Sequence, residues 1–180
     1  MDEDEFRIGL NLYLDSDGNI YIVGSTQTKT GWRHESIILK YAADGSFLWE
    51  QLHDESINDI RAGENHLYFV GVLEDYGQDG IFDDDVSITH TGKYGNAFIL
   101  KSDLNGDFLW GVAGEHDLNY SDSYGERVDI DDEENIFMTG HFRDELKFGD
   151  ITLTDYTNNG YVVKCDSSGQ FIWLETIVIR

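Results

Sequence analysis

Ile38-Leu39-Lys40-Tyr41-Ala42-Ala43-Asp44-Gly45-Ser46-Phe47-Leu48-Trp49 is written three times in this chain, with variations. It returns as Ile99-Leu100-Lys101-Ser102-Asp103-Leu104-Asn105-Gly106-Asp107-Phe108-Leu109-Trp110, and again as Val162-Val163-Lys164-Cys165-Asp166-Ser167-Ser168-Gly169-Gln170-Phe171-Ile172-Trp173. The copies start at 38, 99 and 162, spacings of 61 and 63 residues. Self-similarity at such a period marks a repeat architecture. Asp44-Gly45 and Asn105-Gly106 sit between short apolar runs, where glycine tolerates the positive φ of a tight turn. The phrase therefore predicts a hairpin: strand C over Ile38 to Tyr41, strand D over Phe47 to Leu52, and their copies.

A second phrase precedes each copy. Gly18-Asn19-Ile20-Tyr21-Ile22-Val23-Gly24 matches Asn65-His66-Leu67-Tyr68-Phe69-Val70-Gly71 and Glu134-Asn135-Ile136-Phe137-Met138-Thr139-Gly140. These aromatic and β-branched runs bounded by turn residues read as strand B. Upstream of each lies a candidate strand A: Phe6 to Leu14, Ser56 to Arg61 and Gly125 to Ile130. Three repeats of four strands give twelve strands, and nothing reads as a long amphipathic helix. Four antiparallel strands per repeat is the unit of a β-propeller blade. The expected fold is thus all-β: one propeller-repeat domain over 1–180, with three four-stranded antiparallel blades near 1–54, 55–118 and 119–180. The B–C connection varies most: Ser25 to Glu35, Glu74 to Gly95, and His141 to Gly160. Variable loops on a repeated scaffold are the usual carriers of binding specificity.

These phrases resemble the bacterial β-propeller repeats called SBBP repeats, whose pattern runs from a "GN-x-Y-x-x-G" strand to "K-x-D-x-x-G-x-x-x-W". The third repeat follows it from Asn135 to Trp173, and Phe148-Gly149-Asp150-Ile151-Thr152-Leu153 matches its "F-G-x-x-x-L" element. Phe82 with Val86-Ser87-Ile88 stands in a similar place in repeat two. The resemblance covers nearly the whole chain. It implies an extracellular or cell-surface scaffold or interaction module, with no catalytic residue to carry over. Gly45-x-x-x-Trp49 and its copies also resemble the docking motif of quinoprotein-type propellers, which have a small residue and Leu-Asp where Lys40, Lys101 and Lys164 stand here. That likeness implies no quinone cofactor.

Composition narrows the partners. The chain has 36 acidic and 12 basic residues, a formal charge of −24. Phosphate backbones and anionic membranes are repelled by such a surface, so nucleic acid is not an expected partner. No apolar run reaches the roughly 20 residues of a membrane span, so membrane insertion is not expected. Met1-Asp2-Glu3-Asp4-Glu5 is acidic where a secretory signal is basic. A single cysteine, Cys165, leaves no intrachain disulfide. At 40% hydrophobic and 13% aromatic residues the composition is that of a folded chain.

Candidate sites are few. Asp15-Ser16-Asp17-Gly18-Asn19 has the alternating oxygens that open a calcium loop, without the downstream Glu of a full one. Ala62 and Asp131 are read as the counterparts of Asp15 in the other repeats. Asp83-Asp84-Asp85, in the longest loop, is the other candidate calcium contact. Asn119-Tyr120-Ser121 is a glycosylation sequon at Asn119. The three Lys residues read either as a ring of cations or as stems packed on the sheet and paired with carboxylates. The three Trp read as packing between blades. Cys165 stands where Tyr41 and Ser102 stand, a position unsuited to a nucleophile, and no catalytic motif stands out. No cofactor is expected other than calcium.

Three blades do not close a ring of the usual four to eight. An open arc leaves an apolar face on blade one and another on blade three, each of roughly several hundred Å². Closure by a second copy, a head-to-tail filament, or further blades of a longer chain are the expected outcomes. The expected function is a non-enzymatic extracellular or cell-surface scaffold acting by self-assembly or partner binding. The alternative is a glycan-binding or glycan-processing propeller with its site on the blade loops, especially 74–95.

Overall fold

The computed structural model of the chain describes residues 5–28, 34–74, 78–117 and 120–177. Strands β1 (Glu5–Leu14), β2 (Ile20–Thr28), β3 (His34–Tyr41) and β4 (Phe47–His53) form an antiparallel sheet I in that order. Strands β5 (Ser56–Ala62), β6 (His66–Leu73), β9 (Asn96–Asp103) and β10 (Phe108–Ala113) form sheet II in the order β5-β6-β9-β10. Between β6 and β9, β7 (Gly80–Ile81) and β8 (Ser87–Ile88) make a two-stranded sheet of their own. Strands β11 (Asp122–Ile130), β12 (Ile136–Phe148), β13 (Ile151–Cys165) and β14 (Phe171–Thr176) form sheet III. None of the sheets closes on itself, and there is no helix among the described residues. The β7–β8 pair raises the strand count above the expected twelve.

The same register recurs in each sheet. Strand A carries a bulge between Gly9 and Asn11, between Ile57 and Asp59, and between Gly125 and Arg127. Beside each bulge lies the terminal glycine of the strand B phrase. A Cβ on Gly24, Gly71 or Gly140 would run into the carbonyl oxygen of Ile8, Ser56 or Tyr124 on strand A. That close backbone approach requires glycine. The strand C–D turns hold Gly45, Gly106 and Gly169 at φ of 84°, 95° and 87°, the geometry expected from their hairpin signals.

Stacking order follows from burial. In sheet II both faces are covered: Leu67 to Leu73 of β6 and Asn96 to Ser102 of β9 are all buried. A strand buried on both faces loses the inside–outside alternation of a half-solvated sheet. One side of sheet II meets sheet I through Tyr21, Val23, Ile38, Ile60, Phe69 and Phe98. The other meets sheet III through Tyr68, Val70, Ile99, Met138, Phe142 and Val163. The first strands lead this packing. Strand β5 lies against β1, β2 and β3, and β11 lies against β5, β6 and β9.

Two sequence readings need correction. His141 to Gly160 is not a loop but the far half of β12 and β13, paired out to Phe148 and Ile151. It bends where Arg143 and residues 156–158 leave the ladder, and it sends Leu146 and Phe148 into the second core. The other correction concerns the A–B turns. Ala62 pairs with Leu67 as Leu14 pairs with Ile20 and Ile130 with Ile136. Gly63, not Ala62, therefore stands where Asp15 and Asp131 stand.

Candidate functional site

The recurrent lysines tie one sheet to the next. Lys40 on β3 carries its ammonium 4.9 Å from the Tyr21 ring centroid, and Nζ donates to the Leu104 carbonyl oxygen at 2.8 Å. Leu104 lies in the C–D turn of sheet II. Lys101 on β9 repeats this over Tyr68 at 5.3 Å, and its Nζ donates to Ser167 in the C–D turn of sheet III at 2.9 Å. Burial lowers the pKa of Lys40, against the attraction of Asp15 and Asp103. Each lysine thus buries its stem and keeps its charge satisfied by an aromatic face and a carbonyl from the following sheet. Lys164 on β13 stands 4.8 Å over Phe137 and meets Asp131 Oδ2 at 3.4 Å.

Further bonds stitch the same interfaces. Asn11 Nδ2 donates to the Asn58 carbonyl, and Asn58 Nδ2 to that of Gly125 at 2.8 Å. Buried Asp59 accepts from the Val128 amide at 3.0 Å. Gln51 Nε2 reaches the Gly106 carbonyl at 3.1 Å. Trp49 packs on the core between sheets I and II, and Trp110 on the core between II and III.

The calcium candidates lie in two separate turns. Asp15 Oδ1 accepts the amides of Asp17 and Asn19, and Oδ2 accepts from Asn19 Nδ2 and Tyr21 O–H. Burial would raise its pKa, but these bonds outweigh it and hold the carboxyl below its ordinary value. Asp131 makes the same clasp with Asn135. Asp17 is exposed beside it. Asp83 Oδ1 closes the β7–β8 turn by accepting from Asp85 and Val86, and Asp84 and Asp85 face solvent. Among the described residues no three His, Cys, Asp or Glu side chains gather into a metal-holding group. Asn119 lies outside the described residues.

A cleft of about 500 Å³ opens where the A–B turns converge, lined by Tyr13, Glu64, Asp129, Asp131, Asp132 and Glu134 among others. Glu134 has a φ of 57° at the place of Gly18 in sheet I. It crosses to sheet II, where Oε2 accepts from Tyr68 O–H at 2.9 Å and meets His66 Nδ1 at 3.1 Å, while Oε1 accepts from the Glu64 amide. Its carboxylate fastens sheet III to sheet II.

The described part of the long connection folds back onto the sheets. Phe82 packs against His53, Phe98 and Phe108, with Val86 and Ile88 buried beside it. Residues 75–77 of that loop lie outside the description. Ser123 Oγ stands 3.2 Å from His116 Nε2, and His116 Nδ1 bonds the Glu145 carbonyl at 2.8 Å. This resembles a nucleophile and its base, but Ser123 is fully buried and His116 is 4% exposed, so the pair is closed off from solvent. Burial lowers the His116 pKa, and the ring fastens β11 to the β12–β13 hairpin. The Cys165 thiol is buried, its pKa pushed up to about 12 by burial and then by Asp166.

What remains is surface. Leu12 and Leu14 on the far side of sheet I are 59% and 55% exposed, and Phe47 on β4 is 54% exposed. Their register counterparts in sheet II, Ile60, Ala62 and Phe108, are 0%, 6% and 7% exposed. On the far side of sheet III, Phe137, Thr139, Val162 and Trp173 are half-buried where Tyr21, Val23 and Ile38 of sheet I are closed over. Sequence reasoning missed the lysine latches. Their signal was the return of one cation at one position in a chain with three acids per base. No protein-family model matches this chain, and no curated protein matches it in sequence.

Proposed function

We propose that this chain is a three-bladed arc of β-propeller, each four-stranded sheet being a blade, and that it acts without catalysis as an extracellular or cell-surface scaffold. It works by self-assembly or by binding a partner through its blades. One observation carries the reading: sheet II is buried on both faces, while sheets I and III each keep open the face that their neighbours cover. Successive first strands packed A against A, and latches running the same way from blade to blade, support a propeller arrangement. The acidic surface suits partners other than nucleic acid, and the resemblance to SBBP repeats supports the location at or outside the cell surface.

Particle shape tests the reading. Electron microscopy or solution scattering is expected to give a disc or a stack of arcs, with strands running outward from a central axis. A well-folded chain whose sheets pack face to face as a flat sandwich would overturn it. Sedimentation at micromolar concentration tests the assembly, which predicts species larger than 20.5 kDa.

A further inference from the structure

We infer that the open face of blade three docks on the open face of blade one of a second copy, with Lys164 as the latch and the Ala43 carbonyl as its acceptor. This rests on the propeller reading and specifies which surfaces of that arc meet.

Two contacts of the same kind inside the chain set the pattern. At blade one to blade two, a lysine over an aromatic ring donates to the turn residue two before the turn glycine: Lys40 to Leu104, before Gly106. At blade two to blade three, Lys101 donates to Ser167, before Gly169. By register the next pair is Lys164 and the position two before Gly45, which is Ala43. Lys164 stands over Phe137 on the outer side of blade three, and among the described residues no further C–D turn lies against it. Asp131 holds it at 3.4 Å, just as Asp15 attracts Lys40, so it sits where a working latch sits.

The turn glycines give an independent sign. A Cβ on Gly106 would stand 2.8 Å from Gln51 of blade one, and one on Gly169 would stand 3.2 Å from Trp110 of blade two. Around Gly45, at φ of 84°, nothing lies within 4 Å. The turn has the same shape and lacks the side chain that covers its copies. The residue on blade three at the position of Trp110 is Trp173, and the one at the position of Gln51 is Glu175.

The sheet faces complete the match. Blade one offers Leu12, Leu14, Ile20, Ile22 and Leu39, which correspond to Ile60, Ala62, Leu67, Phe69 and Leu100 in the buried core between blades one and two. Blade three offers Phe137, Thr139, Val162 and Trp173, which correspond to Tyr21, Val23, Ile38 and Trp49 on the opposite side of that core. A contact between two different faces closes into a ring or propagates as a filament, and both use this interface.

Complementary blocking tests it by sedimentation. Leu12→Asp with Leu14→Asp spoils blade one, and Thr139→Lys spoils blade three. All three side chains lie on open faces, so both variants should stay folded and melt cooperatively as monomers, below the wild type only by what assembly adds. Each alone should be monomeric, and an equimolar mixture should form a one-to-one complex that grows no further. Phe47→Lys and Trp173→Glu serve as second variants should either first one fail to fold. Lys164→Met should weaken the mixed complex about tenfold, the effect of losing one charge-assisted hydrogen bond. A mixture that stays monomeric, or a single variant that assembles as the wild type does, overturns the docking and leaves the propeller standing. A wild-type chain that is monomeric at about 100 µM, a concentration at which even weak specific contacts populate a complex, overturns the docking and the assembly reading together.

Discussion

His53 is the residue whose chemistry is most at odds with its surroundings. It ends β4 between Phe82 and Phe108, 9% exposed, and its Nε2 has no hydrogen-bond partner among the described residues. Burial pushes its pKa from 6.5 down to about 4, against weaker opposing attraction from Asp54 and Asp83. The unfolded imidazole takes up its proton near pH 6.5 and the folded one only near pH 4. Protonation in that window therefore favours unfolding: the stability is whole above about pH 6.5 and is lost as pH falls toward 4. The loss should be roughly 3 kcal/mol across the window. Denaturant melts at stepped pH should show this slope, and His53→Phe should flatten it. Glu134 offers a second test. A non-glycine residue at positive φ carries strain of about 1 kcal/mol, here held by bonds to Tyr68, His66 and Glu64. Glu134→Ala keeps the strain and loses the bonds, and should cost about 2 kcal/mol in urea melts. Glu134→Gly should cost about 1 kcal/mol less, because it relieves the strain.

At the scale of elements, the three C–D hairpins share one sequence and differ in what lies beside them. Lys40→Met and Lys101→Met each remove a charge-assisted bond from a buried lysine to the turn of the next sheet and should lower stability by about 1–2 kcal/mol. Lys164→Met, measured on a monomeric chain carrying Leu12→Asp and Leu14→Asp, should change it by less than about 0.5 kcal/mol, because its partner Asp131 is only half-buried and the pair is open to solvent screening. Equal effects at all three positions would mean that the lysines act within their own sheets. The hairpins themselves were legible because Asp44-Gly45 and Asn105-Gly106 demand a tight turn whatever surrounds them. The strand B phrases were legible for the same local reason. The latches were not, because the acceptor of Lys40 is a carbonyl 64 residues away, and a carbonyl leaves no mark in a sequence. The β12–β13 extension was misread for a different reason. Apolar alternation lapses between Phe142 and Leu146, and the polar run from Thr154 to Gly160 resembles a loop. The Gly63 correction is again one of register, since the second A–B turn is a residue shorter than the other two.

For the whole molecule the governing quantity is charge. Two copies of a chain at −24 repel one another, yet the proposed contact is mostly apolar, with Lys164 and Glu175 as its charged side chains. The attraction is short-ranged and scarcely touched by salt, whereas the repulsion acts over a Debye length of about 30 Å at 0.01 M and about 8 Å at 0.15 M ionic strength. Raising salt therefore removes the opposing force and leaves the favourable one. Association should strengthen between 0.01 and 0.15 M by about tenfold or more, since roughly 1.4 kcal/mol of lifted repulsion is enough for that. The melting temperature of the monomeric variants should climb over the same range, because compacting a chain of this charge is opposed by the same repulsion. Sedimentation in a sodium chloride series reads the first effect, and a thermal melt of Leu12→Asp with Leu14→Asp reads the second. Magnesium or calcium at equal ionic strength should act no differently from sodium if the Asp15 and Asp83 turns are hairpin clasps. A step in either readout at low calcium alone would mark those turns as a binding site. Weakening of the complex by salt would point instead to a contact made by opposite charges, and the apolar faces of sheets I and III would then not be what holds the copies together.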